Sequence, residues 1–295
     1  MKAKFINPYT DFGFKKLFGE EASKELLVDF LNQLLPSEHK IVKLSFKNTE
    51  QLGDIKSDKK AIFDLYCENE LGDRFIVEMQ KAKIKFFKDR ALFYSTFPIK
   101  EQAEKGEWNF KLNPVYCVAI LDFEFDDDRE KKEHISNIQL KDQFCQTFYN
   151  KLTFIFIEMP RFQKQEHQLE NHFDKWLYFL KNLEDFQHIP AILEEEVFLK
   201  GFEIARIANY NENEMAEYEN SLKHYRDLKG VIDTSFEEGK EEGKAEGRIE
   251  GIEEGKKMGE MSEKVRLAKQ FKELGTPIET INQATGLSIE EIKAL

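Results

Sequence analysis

The sequence predicts an α/β fold with a helical C-terminal extension, and three observations support this. Residues 61–83 contain two runs in which apolar and polar side chains alternate on either side of a glycine-containing turn, as in a β-hairpin. Helical patterns precede and follow this hairpin, and a continuous apolar run follows at Val115–Leu121. Beyond residue 160 the patterns are mainly helical. The predicted order of the core is helix, three strands, helix and strand.

Each predicted element has a local signal. The amphipathic segment from Lys24 to Leu35 ends before Pro36, which predicts a helix, and Ile41 to Thr49 predicts the first strand. After the hairpin, a helix is expected from about Ile84. The remaining expected elements are strands at Val115–Leu121 and Thr153–Met159, the second extending the sheet, and helices at His167–Leu180, Ala191–Lys200 and Glu203–Leu228.

The turn sets the register of the hairpin. A three-residue loop over Glu70–Gly72, with Gly72 in the left-handed conformation, places Asn69 opposite Asp73 and Leu65 opposite Val77. A half-buried sheet would then have a single apolar face. That face would consist of Phe63, Leu65 and Cys67 from the first strand and Phe75, Val77 and Met79 from the second.

The same register places three polar residues on the other face. Asp64 lies opposite Glu78, and Gln80 follows two residues further along the same strand. Carboxylates opposed at about 5 Å between Cβ atoms repel each other unless a cation lies between them. A hard divalent ion, Mg²⁺ or Mn²⁺, is the expected cation. The alternative is an ordinary sheet whose polar face is solvated.

Asp64 followed by Glu78-Met79-Gln80 resembles the PD-(D/E)XK nuclease signature, with Gln80 in place of the motif lysine and Phe63 in place of the motif proline. The surrounding sequence, from about Phe5 to about Leu121, resembles the Rpn family of recombination-promoting nucleases and transposases. The resemblance implies a PD-(D/E)XK restriction-endonuclease-like core. The matching blocks are Thr10–Gly19, the hairpin, Arg90 with Tyr94, and Asn113–Tyr116.

This resemblance implies a metal-dependent DNA endonuclease that serves recombination or transposition. Asp64 and Glu78 would hold Mg²⁺ or Mn²⁺, and Gln80 would orient the attacking water. Asp11, at the start of the first helix, would add an acidic residue, although Asp is also a preferred N-cap. Because Gln80 is uncharged, a nuclease-fold interaction or DNA-binding module that does not cut remains an alternative. A nuclease toxin or defence effector is another.

A basic segment follows the hairpin. Lys83, Arg90 and Tyr94 are seven and four residues apart, so one face of the following helix would present them to a DNA backbone. A solvated helix face is the alternative. The chain as a whole is acidic, with 44 Lys+Arg against 56 Asp+Glu and a formal net charge of -12. Contact with DNA should therefore be local.

A glycine repeat marks the C-terminal part, where glycine recurs at every fourth residue from Gly239 to Gly259. On a helix these glycines would form an open edge, so we expect a helix that self-associates into a homo-oligomer, with a flexible linker as the alternative. The tail has helix-start signals at Thr276–Glu279 and Ser288–Glu291. We interpret it as a small packing module rather than a DNA-reading helix-turn-helix, since its last helix is acidic.

Four segments are therefore expected: a nuclease-like domain at 1–160, a helical accessory region at 161–235, a glycine-repeat connector or linker at 236–261, and a helical tail module at 262–295. No leader of signal length and no run approaching about 18 apolar residues occurs, which predicts a cytoplasmic protein with no membrane contact. The three cysteines are far apart and form no CxxC pair, so neither a disulfide framework nor a zinc site is indicated.

Overall fold

A six-stranded mixed sheet forms the centre of the protein, in a computed structural model that describes residues 3–51, 61–103, 109–126 and 132–295. The strands are β1 (Leu44–Phe46), β2 (Glu50–Gln51), β3 (Ala61–Ile62), β4 (Leu65–Asn69), β5 (Arg74–Gln80), β6 (Val115–Leu121), β7 (Ile135–Lys141) and β8 (Thr147–Glu158). The sheet order is β1-β4-β5-β6-β8-β7, and β2 pairs with β3 separately. Strands β5, β6 and β8 are parallel, and the other pairs are antiparallel.

Eight α-helices are found in the described part of the chain: α1 (Asp11–Phe18), α2 (Lys24–Asn32), α3 (Phe87–Lys100), α4 (His172–Asn182), α5 (Glu196–Ala205), α6 (Glu212–Glu273), α7 (Ile278–Thr285) and α8 (Ile289–Ala294). The helix expected over Glu203–Leu228 is interrupted. The Asn211 side chain accepts hydrogen bonds from the N–H groups of Asn213 and Glu214, both at 3.0 Å, and so caps a new helix. No described helix is both long enough and apolar enough to cross a bilayer.

The predicted hairpin register is confirmed. Leu65 pairs with Val77, Gly72 has φ +82°, and Asn69 N–H donates to Asp73 O at 3.0 Å. Glycine suits this turn because a side chain is strained at positive φ. The pairing of β4 with β5 ends at Leu65, however, so Asp64 lies just outside the ladder.

The predicted position of Phe63, on the sheet face that carries Leu65, is wrong. Phe63 packs with Tyr66 and Ile76 rather than with Leu65, because the chain departs from regular strand geometry at Asp64. The expectation of one solvated face is also wrong, since Tyr66 and Ile76 are buried under aromatic residues of α3, among them Tyr94 and Phe97. The opposite face packs against α1, α2, α4 and α5 through a large core that includes Phe18, Leu27, Val77, Val118, Trp176 and Phe202.

The sequence predicted one of the two strands at the far edge of the sheet and missed the other. The expected strand at Thr153–Met159 is confirmed as part of the longer β8, which is parallel to β6. Strand β7 was not predicted, although it pairs antiparallel with β8. Most of its side chains are exposed or half-buried, so no continuous apolar run marks it in the sequence. Strand β7 is therefore recognised by its pairing with β8 and not by its own composition.

The chain divides into two compact units, Met1–Gly230 and Val231–Leu295. In the second unit, the end of α6 packs with α7 and α8 around Ala268, Ile281, Leu287 and Ile292. Ser288 and Glu291 form a capping box at the expected start of α8. The capping signal at Thr276–Glu279 is wrong, because Pro277 is itself the N-cap of α7 and no described side chain caps that helix. The glycine repeat is helical and belongs to α6. The division into four segments remains a prediction.

Candidate active site

The Asp64 carboxylate is bound to the main chain of the neighbouring strand. Its Oδ2 accepts a hydrogen bond from the N–H of Met79 at 2.8 Å, at the point where β4 no longer pairs with β5. Burial is the main cause that raises the pKa of Asp64. The hydrogen bond from Met79 opposes this rise, as do the charges of Lys15 and Lys81, whereas the charge of Asp11 adds to it.

Glu78 provides the second carboxylate, from within β5. Its side chain is only 13% exposed, and Arg90 Nη2 lies 3.5 Å from its Oε2. Burial, followed by repulsion from Asp64, raises the pKa of Glu78 to about 7, while Arg90 acts in the opposite direction. The structure therefore brings Asp64 and Glu78 together, as expected, in a setting where two negative charges are poorly tolerated.

Gln80 is held at both ends of its amide. Its Oε1 accepts a hydrogen bond from Arg90 Nη2, and its Nε2 donates to the Ala82 carbonyl at 2.8 Å. The guanidinium of Arg90 also lies over the ring of Tyr94, 5.5 Å from its centroid. Gln80, Arg90 and Tyr94 thus form one connected group beside Glu78.

Asp11 is the first residue of α1 rather than its cap. The N-cap is Thr10, whose Oγ1 accepts a hydrogen bond from Gly13 N–H at 2.9 Å. The capping role considered for Asp11 is therefore wrong, because Thr10 already occupies that position. Asp11 forms an ion pair with Lys15 at 3.1 Å, and its charge acts on both Asp64 and Lys81.

Lys83 does not share a helical face with Arg90 and Tyr94. Helix α3 begins at Phe87, not near Ile84, because a turn precedes it, in which the Phe87 N–H donates to the Ile84 carbonyl at 3.3 Å. Lys83 lies before this turn and forms an ion pair with Asp126. The predicted face is therefore wrong for Lys83, whereas Arg90 and Tyr94 do lie one turn apart on α3.

Lys81 is a site residue that the sequence analysis did not single out. It follows Gln80 directly and is half-buried, and its charge interacts with those of Asp11, Asp64 and Lys15. Strand alternation assigns it to the face opposite Glu78 and Gln80. The sequence marks Lys81 only by its position immediately after the motif. Its electrostatic interaction with Asp64 is apparent only from the structure, which gives the position of α1.

The donor set fits a weakly held divalent cation. Among the described residues, no group of three or more His, Cys, Asp or Glu side chains could hold a metal ion. Asp64 and Glu78 supply two carboxylates, and Mg²⁺ is commonly bound by one or two carboxylates together with water and substrate phosphates. Two half-buried carboxyl groups that repel each other gain from a cation between them.

An α/β core in which an aspartate and a glutamate meet at the end of a hairpin, beside a helix with a basic residue, defines a PD-(D/E)XK-type nuclease fold. The chain belongs to the PD-(D/E)XK nuclease family transposases, because the family model of that description matches residues 8–235. This agrees with the resemblance to Rpn proteins and extends beyond Leu121 through α5 into α6. Neither the curated proteins nor the solved structures contain a match to this chain.

Proposed function

We propose that this protein is a divalent-metal-dependent DNA endonuclease that hydrolyses phosphodiester bonds in recombination or transposition. The observation that carries the proposal is the pair of half-buried carboxyl groups, Asp64 and Glu78, each with a raised pKa. Membership of a nuclease family supports nuclease activity at the family level. The dependence on metal is inferred from the two side chains themselves.

Asp64 and Glu78 are the proposed ligands of Mg²⁺ or Mn²⁺. Among the described residues, the Asp64 carboxylate accepts its one hydrogen bond through Oδ2, which leaves Oδ1 for a ligand. In the part of the chain that the structure describes, Glu78 forms one ion pair, with Arg90, whose Nη2 lies 3.5 Å from Glu78 Oε2. When bound, a divalent ion lowers the pKa of a coordinated water and so supplies a nucleophile near neutral pH. Asp11 is proposed to add negative charge at the side of Asp64.

Gln80, Arg90 and Tyr94 are proposed to act on the water and the substrate. A glutamine amide has two N–H groups, and Gln80 gives one of them to Ala82, so the second can orient the attacking water. Arg90 and Tyr94 lie side by side on α3 and suit a phosphate contact, with Lys83 as a further contact outside the helix. Because the chain has a net charge of -12, DNA is expected to bind only at this local group.

A homo-oligomer through the glycine repeat is part of the proposal. A Cβ added at any glycine from Gly239 to Gly259 would meet no atom within 4 Å, so this helix edge is open to close backbone approach. Exposed apolar side chains, such as Phe236, Ile249 and Met258, belong to the same helix. A cytoplasmic location and a use in toxicity or defence are separate predictions about the setting of the protein.

A non-cutting module is the second candidate, and one observation favours it. Arg90 already places a positive charge beside Glu78, and Gln80 brings no charge of its own. A site that is partly neutralised by an arginine has less need of a metal ion. Such a protein would bind DNA through the same residues without hydrolysing it.

Plasmid nicking separates the two candidates. Purified protein is incubated with supercoiled plasmid in Mg²⁺, Mn²⁺ or EDTA, beside the Asp64→Ala and Glu78→Ala variants. Asp89→Ala is the matched control, since Asp89 is an exposed carboxylate on the same helix as Arg90. Cleavage that is lost in EDTA and in both site variants but kept in the control supports the nuclease. Absence of cleavage in every condition favours the non-cutting module.

A further inference from the structure

Two exposed aromatic side chains flank Arg90 along helix α3. Phe86, the N-cap residue of α3, precedes Arg90 by four residues, and its carbonyl accepts the Arg90 N–H at 3.0 Å. Phe93 follows Arg90 by three residues. Phe86 is 62% exposed and Phe93 is 45% exposed. Because side chains three and four residues apart are neighbours on a helix surface, both rings belong to the side of α3 from which Arg90 binds Gln80.

Phe93 is connected to Arg90 through the ring of Tyr94. The guanidinium carbon of Arg90 lies 5.5 Å from the centroid of the Tyr94 ring, and that centroid lies 6.4 Å from the centroid of Phe93. Phe97 packs edge-on against Phe93, with 5.2 Å between the centroids and an interplanar angle of 90°. These contacts already hold the Phe93 ring, so little side-chain freedom is lost when a ligand covers its exposed part.

Basic side chains surround this part of the helix. Lys85 Nζ lies 5.5 Å from the centroid of the Phe86 ring, and Lys88 is also exposed. Residues 81–90 contain five Lys or Arg and one Asp, in a chain whose formal net charge is -12. The segment therefore favours an anionic ligand. A nucleic acid matches both features, since it combines phosphates with flat bases that stack on aromatic rings.

An unpaired base fits these rings better than an uninterrupted duplex does. In a duplex, neighbouring bases cover both faces of each base, and the outer surface consists of sugars and phosphates. A phenylalanine ring has no hydrogen-bonding group for a phosphate, whereas the face of an unpaired base can stack on it. Proteins that bind single strands use this combination of cations along the backbone and aromatic rings for the bases.

We propose that Phe93 stacks on an unpaired base of the DNA strand whose phosphate is held at Arg90, with Phe86 as a second ring on the other side of Arg90. The preferred substrate is then DNA with a single-stranded segment at the cleavage site. This inference rests on the proposed function, which places a phosphate at Arg90 and Tyr94. A strand held in this way passes the carboxylate of Glu78, which lies 3.5 Å from Arg90.

Fluorescence anisotropy in EDTA compares the binding of a labelled single strand with that of a duplex of equal length, at one salt concentration. Phe93→Leu keeps an apolar side chain against Phe97 but has no ring, and Phe93→Trp keeps a ring. Leu92→Ala is the matched control, because Leu92 is an apolar side chain on the same helix that is 54% exposed.

We expect the unmodified protein to bind the single strand more tightly than the duplex. Phe93→Leu should raise the dissociation constant for the single strand roughly tenfold, since a stacked base is lost, and should leave that for the duplex unchanged. Phe93→Trp and Leu92→Ala should stay within about twofold of the unmodified protein, as expected where the ring is kept or where a surface side chain has no role.

A set of single strands, each with one abasic site, identifies the stacked base. The phosphate of that nucleotide is kept, so the charge of the strand does not change. We expect one position at which loss of the base weakens binding to the unmodified protein roughly tenfold but has little effect on binding to Phe93→Leu. Such non-additivity indicates direct contact, whereas a structural role of Phe93 would weaken the binding of every strand equally.

Thermal unfolding shows whether each variant is folded. Equal affinity for single strand and duplex would overturn the inference, as would unchanged binding in Phe93→Leu or an equal loss in Leu92→Ala. An abasic set without a sensitive position in the unmodified protein would overturn it even if Phe93→Leu does not fold.

Plasmid nicking separates this inference from the proposed function. Metal-dependent cleavage by a protein that fails the binding tests would overturn the stacking contact alone. A protein that passes them but cuts no DNA would overturn the proposed nuclease and retain the contact as that of a DNA-binding module. A protein that binds neither form of DNA would overturn both.

Discussion

The guanidinium of Arg90 donates a hydrogen bond to Oε1 of Gln80, which joins the helix α3 to the end of strand β5. The same nitrogen, Nη2, lies 3.5 Å from Oε2 of Glu78. Arg90 therefore connects the two polar side chains that β5 directs to this face. Burial and the charge of Asp64 raise the pKa of Glu78, and the Arg90 guanidinium partly opposes this rise because it favours the ionised form.

Replacing Arg90 should change the titration of Glu78. In Arg90→Ala the nearby positive charge is lost, so we expect the pKa of Glu78 to rise above its value of about 7. Arg90→Lys keeps a charge and should give a smaller change, although it loses the planar fork. The measurement is an NMR titration of protein with labelled Glu carboxyl groups, in EDTA, with Glu78→Gln used for assignment. An unchanged pKa in Arg90→Ala would contradict the contact.

Glu78 should also make the stability of the fold depend on pH. Its folded-state pKa of about 7 exceeds the reference value of 4.5, so the folded chain keeps a proton that the unfolded chain releases. The free energy of unfolding therefore falls as the pH rises from about 4.5 to about 7 and levels off beyond. Glu78→Gln removes this fall. We expect the variant to be more stable than the unmodified protein above pH 7, by up to about 3 kcal/mol.

Urea denaturation at pH 4, 6 and 8 measures this difference. Mg²⁺ provides a control within the same experiment, because a ligand of the folded state raises the free energy of unfolding. At pH 8, added Mg²⁺ should stabilise the unmodified protein and have little effect on Glu78→Gln. A variant that is less stable than the unmodified protein at pH 8 would show that Glu78 is not penalised by its surroundings.

The hairpin illustrates how far the sequence could predict this site. Its register followed from local information alone, namely alternation in both strands and Gly72 at the turn. The meeting of Asp64 and Glu78 followed from that register. The departure at Asp64 could not be predicted, because it depends on the Met79 N–H, which binds the side chain of Asp64 in place of a strand partner. Phe63 was assigned to the wrong face for this reason.

The site residues outside the hairpin depend on packing between distant segments. Gln80 is engaged by Arg90 only because α3 packs on that face of the sheet, and Lys81 interacts with Asp11 only because α1 lies on the other. Lys83 is the reverse case, because its regular spacing in the sequence predicted a shared helical face that the structure does not contain. A turn from Ile84 to Phe87 precedes α3, so Lys83 lies outside the helix and away from that face.

Asparagine at position 64 should separate the structural role of Asp64 from its proposed metal role. Asp64→Asn keeps a side-chain oxygen that can accept the Met79 N–H, whereas Asp64→Ala leaves that group without this acceptor. We expect both variants to lose cleavage, since neither retains the carboxylate. Only Asp64→Ala should lose stability through the unpaired N–H, by about 1–3 kcal/mol.

Thermal unfolding and plasmid nicking of the two variants provide the comparison. The removal of a buried charge raises stability in both variants, so the difference between Ala and Asn isolates the hydrogen bond. Cleavage by Asp64→Asn at the normal rate would contradict the ligand role. Equal stability of the two variants would contradict the importance of the contact with Met79.

Substitution within the glycine repeat should have opposite effects on the helix and on self-association. In a variant with Ala at Gly243, Gly247 and Gly251, each change favours helix by about 1 kcal/mol, and no atom lies close enough to clash with the added methyl. If two copies meet along the glycine edge, the same methyl groups hold the backbones apart. We therefore expect a more stable helix. We also expect the dissociation constant for self-association to be at least about tenfold higher, equivalent to roughly 1.4 kcal/mol.

Analytical ultracentrifugation of the full chain, with circular dichroism at 222 nm, measures both effects. The control changes Glu242, Glu246 and Glu250 to Gln, which keeps the same spacing along α6 but leaves every glycine in place. Association that weakens in the alanine variant and not in the control assigns the interface to the glycine edge. Association of equal strength in all three proteins would place the interface elsewhere. A chain that is monomeric at every concentration would show that the glycines serve the helix of a single copy only.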